Sequence, residues 1–312
     1  MPQLEIRLLG TMQVVRDDGN PLHLPPIVQS LFAYMVLYQY RDQQRQGYRR
    51  EALANLFWSE QPEKNARRCL STALWRLRRE LDSQSDSEYL LSSVNGEIGF
   101  NFGSAHWLDI AAFEQGVRFG LAAPMEEMTA AQVEALERAA KLYTGDLLED
   151  CYQEWALRER ERLNLLYLRC LGRLMGYFRH HGAYEQGVQY GKKILAVDPL
   201  REQVHRELMM IYVESGQRAL ALQQYELCRR TLAEELGIEP MTETQQLYEG
   251  VRDDGGLGFT RPFAAVADGQ KLELLLAQLK AAMRDLDAAR EQLSEVKQAV
   301  AQLLSQDAPV SL

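Results

Sequence analysis

Between Glu63 and Leu81 apolar side chains recur every three or four residues, and Ala66, Leu70, Ala73, Leu74, Leu77 and Leu81 form one stripe of an amphipathic helix. At about 100° per residue, the opposite face carries Arg68, Thr72, Trp75, Arg76 and Arg79, flanked by Lys64, Arg67, Ser71 and Arg78. Pro62 suits the start of this helix. Two shorter helices are expected before it. One is opened by Pro25-Pro26 and puts Leu31, Met35 and Tyr38 on one face; the other runs from about Arg49 to Trp58. Still earlier, Leu4 to Val15 alternates as strand, Gly-centred turn and strand, followed by the turn residues Asp17 to Asn20 and an extended PLHL. After the third helix, Tyr89 to Phe102 contains Asn95-Gly96, the dipeptide that favours a two-residue hairpin turn, and this hairpin is a candidate wing.

From Trp107 to Val251 the pattern is helical almost throughout, with an internal period. Gly182 and Gly216 stand thirty-four residues apart, the tetratricopeptide spacing, each closing one helix before the next. One copy places Leu171, Leu174, Phe178, Gly182, Tyr184 and Pro199, and the next places Leu208, Tyr212, Gly216, Ala221 and Tyr225. Gly187 and Gly191 replace the usual small and aromatic residues in the first copy. Such a unit cannot bury its apolar face alone and must stack on a neighbour. It can serve as a packing scaffold or as a peptide-binding groove, and the pattern does not choose. Residues 252–270 are Gly-rich and aperiodic, as in a linker.

Residues 271–306 then carry heptads. Leu272, Leu279, Leu286, Leu293 and Val300 take one seam position, while Leu275, Ala282, Ala289, Val296 and Leu303 take the other. Asp285 and Arg290 fall at g and e positions, where a parallel pair of helices would match them. Self-association, as a homodimer, is expected through Leu272, Leu275, Leu279, Leu286, Leu293, Val296, Val300 and Leu303. The two seam alanines leave open a helix folded back on the repeats. The fold class is therefore mainly α: an N-terminal α+β winged helix (1–105), a tetratricopeptide-like helical repeat domain (106–251), a linker and a C-terminal coiled coil.

Charge changes this picture at one place. The formal net charge of −9 argues against indiscriminate coating of nucleic acid. Yet Lys64, Arg67, Arg68, Arg76, Arg78 and Arg79 lie in a sixteen-residue window without an acid, and the excess acid lies beyond residue 105. An arginine cluster on a helix is most often a solvated face. This one includes an outward Trp75, occupies the third helix of a helix-turn-helix order and precedes a hairpin, so DNA contact is expected. The hairpin itself has no Lys or Arg between Tyr89 and Phe102 and carries Glu97, so its contribution to binding is expected to be small.

The run Arg158 to Arg162 (RERER) reads as a salt-bridged helix surface, and His180-His181 as a helix end whose dipole favours imidazolium. Cys69, Cys151, Cys170 and Cys228 form no CxxC pair and read as reduced, mostly core thiols. No catalytic constellation, cofactor motif or metal-ligand spacing stands out, so neither an enzyme nor a cofactor is expected. No run approaches the roughly 18 apolar residues of a membrane helix, and the N-terminus lacks a signal-peptide pattern, so no membrane partner and a cytoplasmic location are expected.

The order of strand pair, three helices with a basic third, hairpin and helical repeats resembles the Streptomyces antibiotic regulatory protein family over about residues 4–251. Its first half is similar to an OmpR-like winged helix through LPP (Leu24 to Pro26), the tract EALANLFWSEQPEKNARRCLSTALWRLRREL (Glu51 to Leu81) and LDIAAFE (Leu108 to Glu114). Its second half resembles the bacterial transcriptional activator domain, above all in Asp198 to Tyr248. The resemblance implies that the third helix enters the major groove of promoter DNA and that the repeats assist contact with RNA polymerase. Carried over, Arg68, Thr72, Trp75, Arg76 and Arg79 address the groove, and Lys64, Arg67, Ser71 and Arg78 the phosphates. The chain lacks the GxxxxGK[ST] of larger relatives with a nucleotide-hydrolysing domain. Two other readings stay open: a repeat-based protein-interaction adaptor, and a regulator responding to a small effector held in the repeats or linker.

Overall fold

Alternation of apolar and polar residues in LEIR and QVVR yields strands β1 (Leu4–Arg7) and β2 (Gln13–Arg16), paired antiparallel in the computed structural model. The residues described are 4–42, 46–82, 88–93 and 96–253. The third strand of this sheet comes from far along the chain. His106–Leu108 forms β6 and lies parallel to β1, giving the order β2-β1-β6. Sequence patterning places Trp107 at the start of the helical region; it is a strand residue instead, because three residues are too few to show alternation.

Helix α1 (Pro26–Arg41) begins with proline at its first position, where the missing N–H costs no helical bond. The expected single face of Leu31, Met35 and Tyr38 understates its burial, since Phe32, Ala33, Val36 and Leu37 are buried as well and Tyr38 is only partly so. This helix is the hub of the N-terminal core. Around it lie α2 (Arg50–Phe57), α3 (Glu63–Asp82) and a second sheet in the order β3-β5-β4, made of β3 (Tyr48–Arg49), β4 (Leu90–Ser92) and β5 (Glu97–Phe100). Buried Gln39 pins α1 to β5: its amide donates to the Phe100 carbonyl and accepts from the Phe100 N–H, both at 2.9 Å. Together these elements make the winged helix.

Seven helices follow: α4 (Asp109–Gly120), α5 (Ala130–Leu142), α6 (Glu154–His180), α7 (Tyr184–Val197), α8 (Glu202–Glu214), α9 (Arg218–Leu236) and α10 (Thr242–Asp253). They pack in successive pairs, α4 with α5, α6 with α7 and α8 with α9. Gly182 and Gly216, at φ +71° and +75°, end α6 and α8 in the same left-handed turn. In each turn the next N–H reaches back, Ala183 to the Phe178 carbonyl at 2.8 Å and Gln217 to the Tyr212 carbonyl at 2.7 Å. The first copy's departure from the repeat pattern has a steric reason. A Cβ on Gly191 would stand 2.6 Å from a Leu208 methyl carbon, so glycine there lets α8 pack closely on α7.

One compact unit spans Met1–Tyr248 and a second begins at Glu249. Within the first, the winged helix and the repeats share a polar seam. The Asp109 carboxylate is buried and accepts the Leu8 and Leu9 N–H groups at 2.7 and 2.8 Å. The Leu148 N–H donates to the Leu8 carbonyl at 2.9 Å, and the Gly10 N–H to the Asp146 carbonyl at 2.8 Å. Tyr34 of α1 meets Trp155 of α6 edge to face at 5.3 Å.

The RERER run is salt-bridged as expected, but only part of it is helix surface: Arg158, paired with exposed Glu154, and Glu161 are exposed. Glu159 is 5% exposed and bridges Arg41 of α1 and Arg162, which also reaches Glu114. Arg160 turns inward and donates to the carbonyls of Leu147 and Leu148 at 3.1 and 2.8 Å. The linker from 254 onward and the heptad segment at 271–306, with all the proposed seam residues from Leu272 to Leu303, lie outside the described residues.

Candidate nucleic-acid interface

The Pro62 carbonyl accepts the Asn65 and Ala66 N–H groups at 2.8 and 3.0 Å and so launches α3. Its apolar stripe is buried against the winged-helix core at every expected position: Ala66, Leu70, Ala73, Leu74, Leu77 and Leu81 are all at most 4% exposed. Burial of that stripe fixes the rotation of the helix about its axis. Lys64, Arg67, Arg68, Ser71, Thr72, Trp75, Arg76 and Arg79 are consequently all exposed, and Arg78 is half-buried. Eight of the nine residues expected on this face are thus exposed, Arg78 being the exception.

Its members differ in how they are held. Arg67 is paired with Glu63 at 2.6 Å and lies 4.0 Å from Glu51. Exposed pairs of this kind are worth only about 0.2–1 kcal/mol, so a phosphate can displace them. Ser71 Oγ donates to the Arg67 carbonyl and Thr72 Oγ1 to the Arg68 carbonyl, at 2.8 and 3.1 Å. Trp75 is 57% exposed, with the Arg79 guanidinium 4.9 Å above its ring. Arg79 also pairs with Glu80 at 3.2 Å and remains 60% exposed. Among the described residues Lys64, Arg68 and Arg76 have no acidic partner. These three are the charges most readily given to a ligand.

Arg78 points elsewhere: its guanidinium donates to Ser92 Oγ on β4, so it ties α3 to the hairpin. The hairpin contributes exposed Leu91 and Ser93 and no cation among its described residues. One basic residue extends the face beyond the set read from the sequence: Arg50, first residue of α2, donates to Ser71 Oγ at 3.1 Å. Nothing in the sequence around Arg50 places it beside α3. Elsewhere, His181 is engaged locally, its Nδ1 2.9 Å from the Tyr177 carbonyl and its ring stacked on Tyr177. Among the described residues no group of His, Cys, Asp and Glu could hold a metal ion. Cys151, Cys170 and Cys228 are buried thiols, and burial pushes the Cys170 and Cys228 thiols up to about 12, so they stay protonated. No described helix is long and apolar enough to cross a membrane.

Comparison with known proteins agrees with this architecture. The family described as the bacterial transcriptional activator domain matches residues 108–252. The chain is 28% identical over 290 residues to the regulatory protein AfsR of Streptomyces coelicolor, covering 90% of this chain and 27% of that protein. It thus spans about a quarter of that relative's length. It is 24% identical over 262 residues to the transcriptional regulatory protein MoaR1 of Mycobacterium tuberculosis, covering 80% of this chain and 79% of that one. Among solved structures, EmbR of Mycobacterium tuberculosis, in complex with a low-affinity phosphopeptide, superposes with a TM-score of 0.62 at 20% identity. That match covers 81% of this chain and 66% of EmbR, and it concerns the fold.

Proposed function

We propose that the chain is a member of the Streptomyces antibiotic regulatory protein family, to whose members it is similar, and that it is a sequence-specific, DNA-binding transcriptional activator that inserts α3 into the major groove. The supporting observation is the outward face of α3, where Lys64, Arg68 and Arg76 stand exposed and without acidic partners among the described residues. Arg68 and Arg76 suit guanine edges by bidentate contact; Lys64, Arg67 and Ser71 suit phosphates, as does Arg50 beside Ser71. Thr72, Trp75 and Arg79 add van der Waals and thymine-methyl contact along the groove. In this reading Arg78 positions the hairpin rather than a phosphate. The repeats contact RNA polymerase, residues 271–306 join two copies in the cytoplasm, and the protein is a regulator without catalytic activity.

Salt and mutation test the proposal together. Genome-wide mapping of bound DNA supplies the promoter duplexes, whose affinity for the full chain is then measured by fluorescence anisotropy over a range of salt. The expected result is log K falling linearly with log salt, by roughly 0.9 per phosphate neutralised. Arg68→Ala with Arg76→Ala is expected to remove the preference for promoter over unrelated duplex, at about 1–3 kcal/mol per lost base contact. Unchanged promoter selection by the double variant overturns the assignment of α3.

A further inference from the structure

A trough of about 600 Å³ lies between α4 and α5, away from every residue assigned to DNA. Its floor has almost no side chains. A Cβ on Gly116 would stand 3.1 Å from the Ala135 carbonyl and 3.2 Å from the Ala139 Cβ, so the two helices approach at backbone distance there. Its walls are large and apolar: Trp107 from the edge strand β6, Leu142, and Phe119, which is 49% exposed. The charged residues lining it, Arg138 and Lys141, are both cationic, and no acid lines it.

We propose that this trough docks a segment of another protein that presents an aliphatic or aromatic side chain beside acidic residues. Charge complementarity selects that partner. On a chain of net charge −9, two cations over an apolar floor form a local reversal of sign. Among the described residues Arg138 is paired with Glu134 alone, at 3.4 Å, a pair in which both side chains are about two-thirds exposed, so it can exchange that carboxylate for an incoming one. The open shape selects a segment over a small molecule. Ligand pockets bury most of their occupant, whereas a trough bordered by two antiparallel helices accepts a stretch of chain laid along it, with one apolar anchor over Gly116. The inference is independent of the DNA-binding reading, because no α3 residue lines the trough.

The test uses the full chain and a phage-displayed library of random short peptides. Selected sequences are synthesised with a fluorescent label and titrated against the wild type, Phe119→Ala and the double variant Arg138→Glu with Lys141→Glu. All three substituted residues lie at the surface, and melting curves check that the fold persists. Expected are sequences with an apolar residue flanked by Asp or Glu, at least tenfold weaker binding to either variant, and unchanged promoter affinity. Weakening by salt and amide shifts confined to Gly116 and its neighbours on α4 and α5 are also expected. The proposal is overturned if no such sequences are enriched, if uncharged apolar peptides alone are, if the variants bind them like the wild type, or if a medium-chain fatty acid displaces them at equal affinity.

Discussion

The outer face of α3 and the charged run of α6 are built from the same residue type and reach opposite ends. Both are arginine-rich stretches of long helices. In α3 the window from Lys64 to Arg79 contains no acid, and its cations other than Arg78 stand in solvent. In α6 arginine alternates with glutamate, and Glu159 is buried between Arg41 and Arg162 at the seam joining winged helix and repeats. Density of arginine therefore says little about function. What separates the two is whether counter-charges arrive with the arginines, since a satisfied guanidinium can be buried in a joint and an unsatisfied one must stay wet.

The sharpest test of that contrast is at the seam. Asp109 is held by three backbone N–H groups, yet desolvation outweighs them and raises its carboxyl to about 6. It thus binds its proton more tightly folded than unfolded. Its favourable contribution is complete below pH 4 and is lost as the pH rises through about 6. Asp109→Asn cannot titrate, so its stability relative to wild type should improve by up to about 3 kcal/mol between pH 4 and pH 7, read from urea midpoints. A difference flat in pH would mean that the carboxyl titrates like an exposed one.

Next in size, Glu159→Ala strands Arg41 at the joint and leaves Arg162 with Glu114 alone. Breaking a fully buried pair costs several kcal/mol, but Arg41 and Arg162 keep about a third of their side-chain surface, so the expected loss is about 2 kcal/mol. DNA affinity per folded molecule should stay within about twofold, the reverse of Arg68→Ala with Arg76→Ala, which should leave the urea midpoint nearly unchanged. If Glu159→Ala weakens promoter binding as much as the arginine pair does, the seam and the α3 face are one functional surface and the comparison fails. The smallest effect belongs to Arg158→Ala. Its exposed partner Glu154 loses nothing that water does not supply, and an unaltered melting temperature is the expected readout.

Sequence periodicity revealed α3 well because its stripe is narrow and its partners are a single core. The same method misjudged α1, whose extra buried residues Phe32, Val36 and Leu37 reflect packing on several sides at once, a condition that erases the period. It could not see β3 or β6, which are two and three residues long. Glu159 was missed for another reason. Its Arg41 partner is 118 positions away, and no local pattern announces a contact of that range. At the proposed interface, the nine residues on α3 were legible, whereas the turn of Arg78 toward Ser92 and the approach of Arg50 to Ser71 depend on tertiary placement.

The parallel pairing of β1 with β6 carries a consequence for biosynthesis. Strand β1 finds one of its edge partners only when His106–Leu108 has been made, and Leu8 must wait longer still for Leu148. Closing loops of that length delays the reward for ordering the N-terminus. Strand β1 is thus locked late, and a nascent chain stalled before β6 would leave the edge of β1 opposite β2 unpaired and aggregation-prone.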